Sequence, residues 1–95
     1  MPYAVNFLPE VYDDLKSLGE AQAKRVLKVI DERIRNGEPE KAGKPLRNEL
    51  KGMRRIRKGD TRIVYKIVED KIEVLVIAAG PRRSDEVYKT TRKRI

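Results

Sequence analysis

The Gly59-Asp60 dipeptide constrains the fold of this chain most strongly, because it separates two runs in which apolar and basic residues alternate. Glycine at the first of the two central positions is what a type II′ hairpin turn requires. A two-residue turn fixes the pairing of the flanking strands, so Arg57 has to face Arg62 across the hairpin. We therefore expect antiparallel strands at Met53–Lys58 and Thr61–Val68.

Helical periodicity precedes this hairpin in two segments, and Gly19 stands between them. The first helix follows Pro9, and the second carries an apolar stripe of Ala23, Val26, Leu27, Ile30 and Ile34. The remaining elements are a strand at Tyr3–Phe7, a loop over Gly37–Gly52, a strand at Lys71–Ala79 and a terminal helix over Ser84–Ile95 with Ser84 as N-cap. The fold class is α+β: a single domain over residues 1–95 in which an N-terminal strand and a two-helix hairpin pack on a small antiparallel β-meander sheet, followed by the C-terminal helix.

The register divides the strands into two sides. If Glu69-Asp70 is also a two-residue connection, Ile67 faces Ile72, Lys66 faces Glu73, Tyr65 faces Val74 and Ile63 faces Val76. One side is then apolar and can be buried against the helices: Ile56, Ile63, Tyr65, Ile67, Ile72, Val74 and Val76. The other side carries Arg55, Arg57, Arg62 and Lys66 beside Val64, Leu75 and Ile77. Directly opposed arginines destabilise a sheet unless an anion lies at them, so we expect this side to remain uncovered and to be the working surface.

Charge and composition limit the range of possible functions. Residues 51–95 carry fourteen Lys/Arg against six Asp/Glu, which accounts for the whole net charge of +8 and favours a polyanionic partner, above all nucleic acid. The absence of cysteine and histidine excludes thiol chemistry and argues against a zinc site, so we expect neither a metal nor a cofactor. Without a signal peptide or an apolar run long enough to span a bilayer, the chain is expected in the cytoplasm, away from membranes.

A basic site without a metal suits the cleavage of RNA by its own 2′-hydroxyl group. The nucleophile then belongs to the substrate, and arginines stabilise the negative charge that develops on the phosphorane. Tyr88 lies close in sequence to Arg82 and Arg83 and is suited either to accept a proton or to stack on a base. The alternative is that the arginines are solvated and Tyr88 packs against the fold.

Three segments resemble the RelE/ParE toxin superfamily, and RelE in particular: Leu50–Tyr65, Val76–Arg82 and Glu86–Tyr88. The order of elements is also similar, so the resemblance covers essentially the whole chain and implies a RelE-like fold. RelE toxins are ribosome-dependent endonucleases that cut mRNA in the A site, whereas their ParE relatives poison DNA gyrase. The R-I-R-x-G-D-x-R-I-V-Y pattern around the hairpin is shared by both branches.

The resemblance implies four catalytic residues. Arg55 lies near the attacking 2′-oxygen, Arg62 holds the phosphate and its transition-state charge, Arg82 stabilises charge on the leaving-group side and relays a proton through water, and Tyr88 stacks or transfers a proton. A wider RNA-binding set comprises Arg54, Arg57, Lys58, Lys66, Arg83 and Lys89. Met53 replaces a second basic residue found in some members, which shifts the role of general base to Arg55 or Tyr88. Thr61 replaces an aromatic residue that is common before the arginine of this strand.

The resemblance also implies two partners, the ribosome with its mRNA and a RelB-like antitoxin that covers part of the toxin. An acidic, partly disordered antitoxin would complement the net charge of +8. We therefore expect an mRNA interferase. The alternatives are a gyrase inhibitor of the ParE kind and a non-catalytic protein that binds RNA or the ribosome.

Overall fold

A five-stranded mixed sheet carries the fold, with its strands in the order β1-β5-β4-β3-β2. This computed structural model describes residues 3–68, 72–81 and 85–95. The strands are β1 (Ala4–Phe7), β2 (Lys44–Pro45), β3 (Met53–Lys58), β4 (Thr61–Val68) and β5 (Glu73–Pro81). Strand β1 runs parallel to β5, and the other neighbours are antiparallel.

The three predicted helices are present in the predicted order, which confirms the α+β fold class. The segment Gly37–Gly52, predicted to be a loop, also contains a short helix, a 3₁₀ turn and strand β2, and the predicted N-cap Ser84 lies outside the described residues. The helices are α1 (Glu10–Leu18), α2 (Glu20–Val29) with a π-helical continuation (Ile30–Arg35), α3 (Pro39–Ala42) and α4 (Glu86–Arg94), and the 3₁₀ turn spans Asn48–Leu50. Gly19, with φ of +88°, separates α1 from α2 as predicted. Among the residues described, no helix has the length and apolar character needed to cross a membrane.

The β3–β4 hairpin has the predicted bounds and register. Gly59 has φ of +56°, a left-handed conformation that suits the first central residue of the turn. Arg57 consequently faces Arg62, and Arg55 faces Val64. The strand bounds and pairing in this part of the sheet therefore follow from the local sequence.

The predicted pairing of β4 with β5 is wrong by two residues from Tyr65 to Ile67 and by three at Ile63, which faces Ala79. Ile67 faces Val74 and Tyr65 faces Val76, and β5 begins at Glu73 instead of residue 71. The connection is therefore longer than a two-residue turn at Glu69-Asp70, and these two residues lie outside the described part of the chain. A shift of two residues keeps each side chain on its predicted side, because strand alternation has a period of two.

A β-bulge interrupts β5 in its second half. Val64 faces Ala78 while Tyr65 faces Val76, which leaves Ile77 as an extra residue. As a result, consecutive residues Ile77 and Ala78 both lie in the cluster beneath α4, and Ala79 returns to the opposite cluster. The bulge thus adds apolar surface to the side of the sheet that carries the arginines.

Each side of the sheet has its own apolar cluster. The larger one packs the sheet against α1 and α2 and contains Val11, Leu15, Val26, Val29, Ile30, Ile34, Ile56, Ile63, Tyr65, Val74, Val76 and Ala79. The smaller one contains Leu50, Met53, Val64, Ile77, Ala78 and Val87. Two residues that were predicted to be buried are exposed: Ile72 by 50% and Leu27 by 43%. Val29, which the predicted stripe did not include, is buried. Ile72 lies before β5 instead of within it, and the face of α2 toward the sheet is rotated toward Val29.

Tyr65 ties the segment around α3 to the sheet. Its hydroxyl group donates a hydrogen bond of 2.6 Å to the carbonyl oxygen of Pro39, and its side chain has no exposed surface. Arg54 donates to the carbonyl oxygen of Gly43, next to Tyr65. A side chain at Gly43 would lie 2.6 Å from the carbonyl oxygen of Arg55, so only glycine allows this close approach.

We expect Tyr65→Phe to lower the free energy of unfolding by about 1–3 kcal/mol, because it leaves a buried carbonyl group without its donor. Urea denaturation followed by circular dichroism measures this change. Tyr12→Phe is the matched control, since Tyr12 is 58% exposed and should change stability by less than about 0.5 kcal/mol. Equal effects of the two substitutions would contradict a structural role for the Tyr65 hydroxyl group.

The wild type and the Tyr65→Phe variant also test the ionisation of Tyr65. Burial raises the pKa of Tyr65, against an opposing effect of the Arg54 hydrogen bond. Above about pH 10 the unfolded tyrosine loses its proton while the folded one retains it, so stability falls as the pH rises. The stability difference between the wild type and Tyr65→Phe should therefore shrink above about pH 10, and a constant difference would contradict this.

Candidate functional site

Strand alternation brings the predicted site residues of the hairpin onto one side of the sheet. Arg55 and Arg57 on β3 lie on the side opposite Ile56, and Arg62 and Lys66 on β4 lie on the side opposite Ile63. We call this side the basic face, defined by Arg55, Arg57, Arg62 and Lys66. It concentrates four cationic side chains over two paired strands.

The sequence-based prediction that the basic face is uncovered is wrong, because a helix covers part of it. Helix α4 lies across it, and Val87 packs with Val64, Ile77 and Ala78 in the smaller apolar cluster. A Cβ atom at Gly80 would lie 3.6 Å from Cβ of Val87, so helix and strand are in direct contact there. The bulge supplies the apolar surface on which α4 rests, and exposed cations remain beside the helix.

Docking of α4 brings Tyr88 to two of the predicted catalytic arginines. Arg55 Nη1 donates a hydrogen bond of 3.2 Å to the hydroxyl oxygen of Tyr88. The guanidinium carbon of Arg62 lies 5.3 Å from the centre of the Tyr88 ring, which is a cation–π distance. Three predicted catalytic residues, Arg55, Arg62 and Tyr88, therefore meet at one place; Arg82, the fourth, lies outside the described residues, as does Arg83.

Among the described residues, the charge of Arg62 is weakly compensated. Its side chain is 13% exposed, and it forms an ion pair of 3.5 Å with Asp85, whose side chain is 73% exposed. Within the described part of the chain, the buried Nε–H groups of Arg54, Arg55 and Arg62 have no hydrogen-bond partner, and those of Arg55 and Arg62 belong to the basic face. Buried charge and unpaired donors of this kind lower stability. An anion bound at the exposed edge of these guanidinium groups would offset part of that cost.

The predicted RNA-binding residues divide between the two sides of the sheet. Arg57, Lys66 and Lys89 are exposed on or beside the basic face. Arg54 lies on the opposite side of β3, where its guanidinium group holds the backbone at Gly43. Lys58 is exposed at the end of β3 and shares the side of Arg54 by alternation. The structure therefore assigns Arg54 a structural contact and does not bring it together with Arg62.

A polar groove of about 290 Å³ adjoins the site between the 3₁₀ turn and α4. It is lined by Leu46, Arg47, Asn48, Leu50, Asp85, Tyr88 and Arg92. Asn48 has φ of +58°, a conformation that asparagine tolerates better than most residues and that is enriched at functional sites. Sequence reasoning missed Arg47, Asn48 and Arg92, because nothing local indicates that the loop and the terminal helix meet.

Comparison with known proteins identifies the family. A family model described as the ParE toxin of type II toxin-antitoxin system, parDE, matches residues 2–86. The chain is 35% identical over 79 residues to Toxin RelE of Mycobacterium tuberculosis, which covers 81% of this chain and 80% of that protein. It is 28% identical over 100 residues to the mRNA interferase toxin RelE of Escherichia coli, covering 100% and 99%.

The structural comparison agrees with these relationships. A RelBE toxin–antitoxin complex from Mycobacterium tuberculosis contains a chain that matches with a TM-score of 0.79 and 30% identity, covering 86% of this chain and all of that one. The fold and the sequence together define a RelE-type toxin. The chain belongs to the RelE/ParE superfamily of toxins of type II toxin–antitoxin systems, which confirms the resemblance noted from the sequence.

Arg62 and Arg94 each have a side chain that is 13% exposed, but we expect their replacement by methionine to affect stability to different extents. We expect Arg62→Met to change the free energy of unfolding by less than about 1 kcal/mol, because the exposed Asp85 carboxylate is left in water. Arg94→Met leaves the Asp14 carboxylate, 14% exposed, without its partner and should cost about 3–5 kcal/mol. Urea denaturation of both variants measures the difference, and a comparable loss in Arg62→Met would show that Arg62 is mainly structural.

Proposed function

We propose that this toxin is a metal-independent, ribosome-dependent endoribonuclease that cleaves mRNA in the A site and thereby inhibits translation. The observation that carries the proposal is the meeting of Arg55 and Arg62 at Tyr88, with the charge of Arg62 poorly compensated. Support also comes from relatives named mRNA interferase at 28% identity. Such a cluster of cations suits a phosphate whose negative charge increases during reaction.

The proposed reaction uses the 2′-hydroxyl group of the substrate as nucleophile. Its oxygen forms a bond to the adjacent phosphorus and releases its proton to a general base, while the bond from phosphorus to the 5′-oxygen breaks and that oxygen gains a proton. The products are a 2′,3′-cyclic phosphate and a 5′-hydroxyl end. DNA lacks the nucleophile, so the chemistry is specific for RNA.

Each site residue has a proposed role in this reaction. Arg62 binds the phosphate and stabilises the phosphorane, and Arg55 lies on the side of the attacking 2′-oxygen. Tyr88 orients Arg55 through its hydroxyl group and presents its ring for stacking on a base, or accepts the proton of the nucleophile. Arg82 is proposed for the leaving-group side.

The proposed partners are macromolecules that the basic face and the family relationship favour. The ribosome holds the mRNA and presents the A-site codon, and the exposed cations Arg57, Lys66 and Lys89 are proposed to contact RNA phosphates. This activity would be exerted in the cytoplasm. We also propose that a RelB-like antitoxin neutralises the toxin, since solved relatives include complexes of RelE with RelB.

Inhibition of DNA gyrase is the second candidate function. The observation that favours it is the match of the ParE toxin family model to residues 2–86. In that case the cations of the basic face would contact a protein or DNA, and no RNA strand would be cut. Non-catalytic binding to RNA or the ribosome is the remaining possibility.

We expect Arg62→Ala to reduce cleavage of ribosome-bound mRNA by about 100- to 1000-fold, the effect of removing one preorganised donor from a developing charge. The assay adds the purified toxin to a defined translation reaction with a short mRNA and maps the new 5′ ends, with and without ribosomes. Arg25→Ala is the matched control, because Arg25 is an exposed arginine of α2.

The outcomes of this assay separate the candidate functions. Cuts within the A-site codon that require the ribosome and disappear in Arg62→Ala support the interferase. Intact mRNA together with loss of gyrase supercoiling activity would instead establish the ParE-like function. Ribosome binding that weakens with salt, with mRNA left intact and gyrase unaffected, would identify a binding protein.

The groove beside Tyr88 is proposed to hold the nucleotide next to the scissile phosphate. We expect Arg47→Gln to weaken ribosome or RNA binding and to lower the slope of log affinity against log salt by about 1 for each phosphate that the variant no longer neutralises. Asn48→Gly, which keeps the positive φ of this position without strain, should change the preference among bases at one codon position while leaving the salt slope unchanged. If neither variant alters binding or base preference, the groove takes no nucleotide.

A further inference from the structure

Helix α4 has little intrinsic stability as a helix. It spans nine residues, Glu86–Arg94, and helices of this length are unstable in isolation. Val87, Thr90 and Thr91 are β-branched and lower its helix propensity further. Within the helix, Val87 and Thr91 are the residues that are buried. The position of α4, and of Tyr88 on it, therefore depends on a small number of tertiary contacts.

An ion pair with Asp14 fixes the C-terminal end of α4. Arg94 Nη1 lies 2.7 Å from Asp14 Oδ2, and Arg94 Nη2 lies 2.8 Å from Asp14 Oδ1, which is a bidentate arrangement. The two side chains are 13% and 14% exposed. The two residues are 80 positions apart in sequence, so the pair connects α1 to the last turn of the chain.

The backbone of β5 completes this contact. Asp14 Oδ2 also accepts a hydrogen bond of 3.1 Å from the Ala79 amide, and Arg94 Nη1 also donates one of 2.9 Å to the carbonyl oxygen of Ile77. The hydrogen bond to Asp14 is the main reason that the pKa of Arg94 is raised, against an opposing effect of burial. The pair thus holds α1, the bulged part of β5 and α4 in one arrangement.

The N-terminal end of α4 has no contact of comparable quality among the described ion pairs. Asp85 and Arg62 are 3.5 Å apart, and Asp85 is 73% exposed. Tyr88 lies six positions before Arg94, about 9 Å along the helix axis. Without the contact at Arg94, the helix would be held mainly by its buried residues Val87 and Thr91. A displacement of its free C-terminal end would then tilt the helix and move Tyr88 relative to Arg55 and Arg62.

We propose that Asp14 and Arg94 are positioning residues, whose ion pair keeps Tyr88 in contact with Arg55 and Arg62 and so supports the reaction from the edge of the sheet at β5. This inference rests on the proposed function for its kinetic consequence, and on the geometry of α4 for its structural one. Neither residue touches the substrate. Their effect acts through Tyr88, which distinguishes them from residues that only stabilise the fold.

A double-mutant cycle tests the coupling. We expect Asp14→Asn, which keeps an acceptor for the Ala79 amide, to lower kcat of ribosome-dependent cleavage about tenfold with little change in KM. In the Tyr88→Ala background the same substitution should have almost no further effect, because the residue that it positions is gone. Equal losses in both backgrounds would overturn the proposal.

Matched controls separate this effect from loss of folding. Asp13→Asn removes a neighbouring, exposed carboxylate of α1, and Lys93→Gln removes an exposed cation next to Arg94; both should leave kcat within about twofold. Arg94→Lys keeps the charge but loses the bidentate geometry, so it should retain more activity than Arg94→Gln. Urea denaturation establishes that each variant is folded at the assay temperature.

A spectroscopic measurement tests the position of Tyr88 independently of activity. In protein labelled with fluorotyrosine, the resonance of Tyr88, assigned with Tyr88→Phe, should shift or broaden in Asp14→Asn, while that of the buried Tyr65 stays in place. An unchanged Tyr88 resonance would overturn the proposal even if the toxin cleaves RNA. A shifted resonance in a protein that cleaves no RNA would support the positioning and overturn the proposed function.

Discussion

A side chain on β3 or β4 can lie on one of only two sides of the sheet, and the helical hairpin occupies one of them. Ile56, Ile63 and Tyr65 fill that side, so the alternating residues Arg55 and Arg62 are directed to the other. The two-residue turn at Gly59-Asp60 holds this division in register, because a slip by one residue would exchange the two sides. Burial of the larger core therefore concentrates the cations of the hairpin, without any attraction between them.

Arg94 and Arg62, whose side chains are exposed to the same small extent, illustrate different uses of one type of residue. Arg94 has a bidentate partner in Asp14 and a backbone carbonyl group, so its charge is balanced within the protein. Arg62 has a long contact with an exposed aspartate and an aromatic ring, and its Nε–H group is unpaired among the described residues. The balanced charge of Arg94 serves to hold the fold together. The incomplete matching at Arg62 supports the proposed binding site, and α4 connects the two arginines because it carries both Arg94 and Tyr88.

Local signals in the sequence predicted the parts of the fold that are local. The hairpin register, the break at Gly19 and the side on which Arg55 and Arg62 lie each depend on neighbouring residues or on strand alternation. The β4–β5 register was wrong because its connection carries no comparable turn signal and because the bulge at Ile77 is a tertiary feature. Coverage of the basic face by α4, the use of Arg54 to hold Gly43, and the meeting of Asp14 with Arg94 all join distant segments, so no sequence pattern indicated them.

Among the residues described, no strand pairs with the second half of β5 on the side where β1 pairs with the first half. Strand β1 stops at Phe7, opposite Val76, yet β5 continues to Pro81. An unpaired strand edge of this kind invites edge-to-edge association with another molecule. Here the Ala79 amide and the Ile77 carbonyl group already have side-chain partners in Asp14 and Arg94. The ion pair at the end of α4 therefore also occupies backbone groups that an added strand would need, which disfavours association of toxin molecules through this edge of the sheet.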